Sequence, residues 1–398
     1  MRARLARFDA LCLTALIWFL AKFLRYAFPP LFGTLRDTYG VSNAVVGSAF
    51  TALMLAYAAM QFPSGALADR IGGVRVVTAG AVLAALGAFF LSVSLPFAVL
   101  VAAMVVVGVG TGAHKTVSVR LLSRVYRDRT GRALGVMDTF GAFGGVVAPA
   151  AIVWALAGDT PGWHEVFLAG GLSGIVLALL FAWRVPRRLP DDGADGDDGA
   201  GGLAAYRTLF ADRWFLIFVG VTVLFSFTYN GAVAFLPLYL QQAGNLSATT
   251  AGAIYSALFL VSLVQVVTGE MSDRVGRLAV TGGTLALATL GLTVAVAVPE
   301  SGVLVLGGAV VAFGLGSHGF RPVRGAYLVE LVPDEVAGGA LGVVRTAIMG
   351  VGAVAPATVG IVSDTAGFRA AFAVLLASLV GSLALVGVLG LGGREKAQ

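Results

Sequence analysis

The sequence is poor in charge, in cysteine and in histidine, and each shortage excludes a class of protein. Charged residues make up 12% of the chain, half the ~25% that is usual in soluble domains. That shortage, with 58% hydrophobic residues, excludes an ordinary cytoplasmic enzyme and a disordered chain. One cysteine, Cys12, and three histidines exclude a disulfide framework and a zinc cluster. No catalytic triad spacing occurs either, so we expect neither an enzyme nor a metal or cofactor site.

What the chain does contain is a series of long apolar runs, each near the ~20 residues that a membrane-spanning helix needs. Twelve such runs occur, at 9–31, 42–62, 76–94, 98–120, 133–156, 164–185, 213–240, 248–269, 279–298, 302–328, 338–361 and 367–391. The first run follows three arginines and could pass for a secretory signal, but eleven more runs follow it and no small-residue cleavage site does. The sequence therefore predicts an all-α membrane protein with twelve transmembrane helices.

The basic residues are distributed unequally between the loops. If the N-terminus is inside, nineteen of the 27 lysines and arginines are cytoplasmic, six lie within spans, and two, Arg36 and Arg369, are outside. This distribution follows the positive-inside rule and predicts a plasma-membrane protein with both termini in the cytoplasm. The bases then face the anionic inner leaflet of the lipid bilayer. The high isoelectric point of about 9.7 therefore requires no nucleic-acid partner.

The two halves of the chain resemble each other. Residues 65–72 (GALADRIG) follow the second span, and residues 269–276 (GEMSDRVG) follow the eighth. A second match, slightly offset, aligns Lys115 of the fourth span with Arg321 of the tenth. Between the halves, residues 186–212 are rich in Asp and Gly and have no apolar periodicity, which is typical of a flexible linker. We therefore predict two pseudo-symmetric six-helix bundles, 1–185 and 213–398, with a binding site between them near the midplane.

This layout and the repeated loop motif resemble the major facilitator superfamily of secondary transporters. The resemblance implies that Asp69, in a short cytoplasmic turn, caps the N-terminus of the eleventh span when the cytoplasmic side is closed. Asp273 would do the same for the fifth span. The gating residues that it implies are Gly65, Asp69, Arg70, Gly72, Gly269, Asp273, Arg274 and Gly276. The alternative is that these charged turns only fix the topology.

The bases within the spans are the candidate binding residues, because a charge at the centre of a membrane helix costs about 2.5–3.5 kcal/mol. Lys115 and Arg321 occupy matched positions, and we expect them to face each other across a central cavity and bind an anion. The residues expected to complete the site are Lys22, Arg25, His114, His318, Tyr229 and Asn230. As alternatives, Lys115 and Arg321 pair with buried acids or carbonyls, and Arg25, Arg324 and Arg345 extend to the membrane surface. The two histidines are either structural or proton carriers.

The function that the sequence predicts is secondary active transport of a small anion, such as an organic acid, a sugar phosphate or an inorganic oxyanion. We expect a monomer, coupled to a proton or a counter-anion, with His114, His318 and Asp138 as the candidate proton carriers. One alternative is a multidrug or metabolite exporter. Another is a transporter-like sensor or scaffold, although the sequence has no appended soluble domain.

The unequal distribution of bases generates a test of topology. In a Cys12→Ala background, a cysteine introduced as Gly196→Cys should resist an impermeant thiol reagent in intact cells and react after the cells are permeabilised. The reason is that residues 186–212 are predicted to be cytoplasmic. Labelling of that cysteine in intact cells would contradict the predicted orientation.

Overall fold

The computed structural model describes residues 8–158, 162–188, 209–332 and 337–395, and within these ranges the regular structure is helical, without strands. Eleven helical stretches in them are long and apolar enough to cross a membrane. The last, Ala340–Gly392, contains Gly367, whose φ of 83° and ψ of 164° break it into two helices. The predicted all-α fold of twelve transmembrane helices is therefore confirmed.

The chain forms two compact units. The first comprises the described residues of Met1–Val41 and Ala49–Asp195, and the second those of Ser42–Ser48 and Gly196–Gln398. The linker predicted at 186–212 lies largely outside the described residues. The helices of the first unit, whose α3 begins in the second, are α1 (Asp9–Tyr26), α2 (Phe28–Tyr39), α3 (Asn43–Ala59), α4 (Gln61–Ile71), α5 (Gly73–Leu91), α6 (Phe97–Gly112), α7 (His114–Val125), α8 (Thr130–Ala157) and α9 (Trp163–Arg184).

The second unit repeats this order. Its helices are α10 (Arg213–Gln242), α11 (Ala248–Leu260), α12 (Val264–Val275), α13 (Arg277–Ala297), α14 (Val303–Leu331) and α15 (Ala337–Glu395). In the first unit α1 packs along α8, and α5 packs between α6 and α9; in the second, α10 packs along α15 and α13 along α14. Each unit therefore builds its own core from neighbouring helices.

Several spans are interrupted at related places in the two units. The second span divides at Met60 between α3 and α4, and the eighth divides at a short 3₁₀ turn, Val261–Leu263. The fourth span divides at Ala113, directly before His114 and Lys115. The tenth span is the continuous helix α14, but it contains Pro322 directly after Arg321. Proline removes a helical hydrogen bond, so both candidate anchors lie beside an irregularity of their helix.

Glycines of the fourth and tenth spans bring helices into backbone contact. A Cβ atom on Gly110 would lie 2.4 Å from the backbone nitrogen of Ala84, and one on Gly316 would lie 2.4 Å from that of Ala288. Both distances are too short for any side chain. The glycine-rich segment at 108–112 is thus a helix-packing surface, as is usual for small residues in membrane helices.

The repeated loop motif is more helical than the sequence predicted. Asp69 lies in the last turn of α4 and Asp273 in the last turn of α12, and each connection to the following helix is a single glycine. Gly72 and Gly276 adopt φ values of 91° and 102°, a region that other residues rarely enter. The prediction of a short turn holding Asp69 was wrong, because the helix continues to Ile71 before the glycine ends it.

A carboxylate caps a helix in the second unit, at a position that the sequence did not indicate. The Oδ1 and Oδ2 atoms of Asp364 on α15 accept hydrogen bonds from the backbone N–H groups of Asn43 (3.1 Å) and Ala44 (2.7 Å), at the start of α3. Gly360 allows this approach, since a Cβ there would lie 2.4 Å from the carbonyl oxygen of Asn43. An acceptor at a helix N-terminus satisfies donors that have no partner within the helix.

Removing the Asp364 carboxylate should loosen the first turn of α3. Loss of a capping side chain costs about 0.5–2 kcal/mol, so amide exchange at residues 43–46 should accelerate by roughly two- to thirtyfold in Asp364→Ala. Hydrogen–deuterium exchange mass spectrometry of the purified protein measures this rate. The exposed carboxylate of Asp37, which pairs with Arg36, gives a matched control in Asp37→Asn. Equal exchange in wild type and Asp364→Ala would show that the contact does not stabilise the helix.

Candidate functional site

In the first unit, three cations from two helices, α1 and α7, lie around the ring of Trp18. The ammonium nitrogens of Lys22 and Lys115 lie 5.6 Å and 5.3 Å from the ring centroid, and the guanidinium carbon of Arg25 lies 5.6 Å from it. Lys22 and Arg25 follow Trp18 by four and seven residues, so all three side chains lie on one face of α1. We call Trp18, Lys22, Arg25, Lys115 and Asp138 the Trp18 cluster.

Arg25 is buried within this cluster. Only 5% of the residue is exposed, and its guanidinium carbon lies 3.8 Å from the ring centroid of Tyr57 on α3. Its Nε donates a hydrogen bond of 3.1 Å to the carbonyl oxygen of Ala21. Arg25 therefore does not extend to the membrane surface, and it adds positive charge to the cluster from a fixed, stacked position.

Lys115 forms an ion pair within the first unit. Its ammonium group donates to the Oδ1 atom of Asp138 on α8, and the side chains are 16% and 57% exposed, respectively. Asp138 therefore neutralises Lys115, while Lys22 and Arg25 lie against the same ring of Trp18. In this structure, therefore, the lysine that was expected to bind substrate is paired with Asp138.

His114 is a structural histidine in this arrangement. Its Nε2 lies 3.0 Å from the carbonyl oxygen of Thr14, and its Nδ1 lies 2.5 Å from the hydroxyl oxygen of Ser118. A carbonyl only accepts hydrogen bonds, so these partners assign the proton to Nε2, and Nδ1 accepts from the hydroxyl. With both ring nitrogens occupied and 2% of the residue exposed, His114 positions α7 against α1.

The second unit holds a comparable arrangement around Tyr229 of α10. The guanidinium carbon of Arg321 lies 4.2 Å from the ring centroid of Tyr229, and the ring of His318 lies 5.8 Å from it at an interplanar angle of 81°. Phe259 packs on the other side of His318 at 6.3 Å. In each unit, therefore, a histidine and a cation from the fourth helical span contact an aromatic ring on the first span.

Three arginines of the second unit lie close enough for their charges to interact. Arg324 is partly buried over the ring of Phe320, and both Arg321 and Arg345 act on its charge. In the part of the second unit that the structure describes, neither Arg321 nor Arg324 forms an ion pair with a carboxylate. Two arginines, Arg321 and Arg324, therefore lie near each other within a membrane-spanning segment.

Asn230 is committed to the packing of α10. Its side-chain nitrogen donates to the backbone oxygen of Ser226 at 2.9 Å and lies 3.2 Å from its hydroxyl, which itself donates to the carbonyl oxygen of Ile348 on α15. Gly352 permits the close approach of α15, because a Cβ there would lie 2.6 Å from the Asn230 nitrogen. Ser226 thus joins α10 to α15, while the side-chain nitrogen of Asn230 bonds within α10 and leaves its amide oxygen as the acceptor that it presents to a ligand.

Two charges of the repeated motif, Asp69 and Arg274, have partners within their own units. Asp69 pairs with Arg120 of α7 at 2.7 Å, and Arg274 pairs with Glu270 at 2.5 Å. In this structure Asp69 therefore ties the second span to the fourth. Gly65 and Gly269 face no backbone within contact distance, so only Gly72 and Gly276 have a conformational requirement for glycine. The gating role of the motif stays a prediction.

Two aromatic residues on which the first site is built, Trp18 and Tyr57, were not predicted from the sequence. Both lie in apolar runs. The signal for Trp18 was available, because Lys22 and Arg25 follow it at helical spacing. Tyr57 had no such signal, because it reaches Arg25 from a different span.

Comparison with known proteins assigns the chain to a family. The sequence model of the Major Facilitator Superfamily matches residues 14–320 and 245–397. The probable sulfoacetate transporter SauU of Cupriavidus necator is 25% identical over 88% of this chain and 86% of its own length. A Multidrug resistance protein B homolog of Mycobacterium tuberculosis is 28% identical over 76% of this chain and 66% of its own.

A solved structure shows the same fold. The bacterial homolog of the human lysosomal transporter Spinster, in an inward-facing and occupied conformation, superimposes with a TM-score of 0.78 at 17% identity, over 96% of each chain. The repeated motif, the twelve helices and the matching family model agree with one another. This chain is a multi-pass membrane protein that belongs to the Major Facilitator Superfamily of transporters.

Proposed function

We propose that this protein is a secondary active transporter of a small organic or inorganic anion, working by alternating access. The observation that carries the proposal is a group of cations against an aromatic ring inside the membrane-spanning part of each unit. In the Trp18 cluster three cations lie against one ring, and Lys115 also pairs with Asp138. In the second unit, Arg321 and Arg324 interact repulsively and form no ion pair among the described residues.

Magnitudes favour a ligand over a purely structural role for Arg321. Insertion of a charge at the centre of a helix costs about 2.5–3.5 kcal/mol, while stacking on one aromatic ring returns about 0.5–2 kcal/mol. The ring of Tyr229 therefore offsets only part of the cost. A bound carboxylate, sulfonate or phosphate would offset the rest, and a guanidinium can hold such a group through two parallel hydrogen bonds.

The relatives support this substrate class. SauU is described as a probable sulfoacetate transporter, and sulfoacetate is a small organic anion. Export of drugs or metabolites is the alternative function, favoured by the resemblance to the Multidrug resistance protein B homolog. A thermal-shift screen of the purified protein against small anions and lipophilic cations separates the two, since a ligand of the folded state raises its stability. Stabilisation by cations alone would contradict the anion proposal.

Arg321 should be the residue on which anion binding depends most. Loss of one partner of a buried charged interaction costs about 2–5 kcal/mol, so Arg321→Gln should weaken binding of the anion found in the screen by roughly thirty- to several-thousand-fold. Arg321→Lys should bind at an intermediate level, because lysine lacks the planar pair of donors. Isothermal titration of each folded variant measures this order. Wild-type affinity in Arg321→Gln would remove Arg321 from the site.

Asp138 should act as an internal competitor for Lys115. Asp138→Asn should bind the same anion more tightly, by about 1.5- to 5-fold, as expected when a partly exposed ion pair of 0.2–1 kcal/mol no longer has to be broken. Lys115→Gln should bind weakly, since it leaves the carboxylate without its cation.

The double variant Lys115→Gln/Asp138→Asn distinguishes the two roles of Lys115. It keeps the net charge of the site but removes both partners. If Lys115 contacts the anion, the double variant stays weak. Recovery of wild-type affinity in the double variant would show that Lys115 serves only to neutralise Asp138. Uptake of the labelled anion into liposomes that contain the wild-type protein completes the test. Binding of the anion without uptake would favour the alternative that the protein is a sensor or scaffold.

A further inference from the structure

A groove on the first unit is lined by none of the residues of the Trp18 cluster. Helices α8 and α9 both pack along α1, but they contact each other over little of their length. The gap between them has α1 as its floor and a volume of about 770 Å³. Its lining includes Phe19 and Phe23 of α1, Trp154 of α8, and Glu165, Leu172 and Val176 of α9.

The groove is built for contact with the hydrocarbon of the bilayer. Trp154, Leu172 and Val176 are 64%, 55% and 55% exposed, which is the expected surface of a lipid-facing helix pair. From Glu165 to Leu177 the groove follows α9 for about 18 Å at the ordinary helical rise. The hydrocarbon of one leaflet is ~15 Å deep, half of the ~30 Å core. The groove therefore matches the length of one acyl chain in one leaflet.

One end of the groove is polar. Glu165 lies in the first turn of α9, and Trp154 is close to the end of α8, so both are at the same end of the bundle. Tryptophan is enriched at the membrane interface, which puts Glu165 at the depth of lipid headgroups. Glu165 has no ion pair among the residues that the structure describes, and a carboxylate at this depth attracts a cationic group.

We propose that this groove binds a phospholipid whose headgroup carries a primary ammonium, with the acyl chain between α8 and α9 and the ammonium on Glu165. A primary ammonium offers N–H donors to the carboxylate, whereas a choline headgroup has none and a glycerol headgroup has no positive charge. The proposal rests on the geometry of the first unit and does not depend on the transported substrate.

Native mass spectrometry of the full chain in detergent tests the proposal with three lipids that share dioleoyl chains. Phosphatidylethanolamine should be retained about two- to fivefold more than phosphatidylglycerol or phosphatidylcholine, as expected for an exposed ion pair. Glu165→Gln should reduce retention of phosphatidylethanolamine to the level of the other two. Glu300→Gln, which removes an exposed carboxylate far from the groove in sequence, should leave the preference intact.

A second variant tests the groove itself. Ala169 lines the groove on an exposed face of α9, so Ala169→Phe should fill it and lower the retention of all three lipids without disturbing the core. If Ala169→Phe retains lipid like wild type, the groove is not the binding site. If Glu165→Gln keeps the preference for phosphatidylethanolamine, the carboxylate only favours the N-terminus of α9 and the headgroup assignment is wrong.

Discussion

A charged side chain placed between membrane helices loses its favourable free energy of hydration. In this protein, contacts with aromatic rings replace most of what is recovered of that free energy. Stacking on a ring returns less than insertion costs, so the degree of compensation differs among the cations. Arg25 has the rings of Tyr57 and Trp18 and a backbone carbonyl, Lys115 has a carboxylate, and Arg321 has the ring of Tyr229. The uneven compensation decides which cations support the fold and which are suited to a ligand.

The two units stabilise their buried cations with similar but not identical contacts. Both place a histidine and a cation of the fourth span against a ring of the first span. The first unit adds Asp138, while the second adds Arg324 and Arg345 near the same position. The two units thus share this framework and differ in the charged residues around it.

The sequence predicted those features that are encoded locally. Apolar runs of about 20 residues located the spans, and the repeated residues 65–72 and 269–276 revealed the two halves. The turn at Asp69 was misjudged because residues 66–71 contain no helix breaker, so the helix runs on to Gly72. Pairings between spans, such as Lys115 with Asp138 and Asp364 with Ala44, depend on the rotation of each helix. Apolar runs that are hydrophobic on all sides carry little information about that rotation.

The interruptions of the fourth and tenth spans have a mechanical consequence. Pro322 gives no N–H to the carbonyl of His318, four residues before it, and the break at Ala113 separates α6 from α7 just before Lys115. A continuous helix resists bending because each bend lengthens hydrogen bonds of its ladder. At these two points the ladder is already incomplete, so the helix can flex there with little further loss. Lys115 and Arg321 therefore each lie next to a point at which their helix bends easily. A small rotation at that point changes the direction of the charged side chain, while the segment before it is held by the close packing of its glycines.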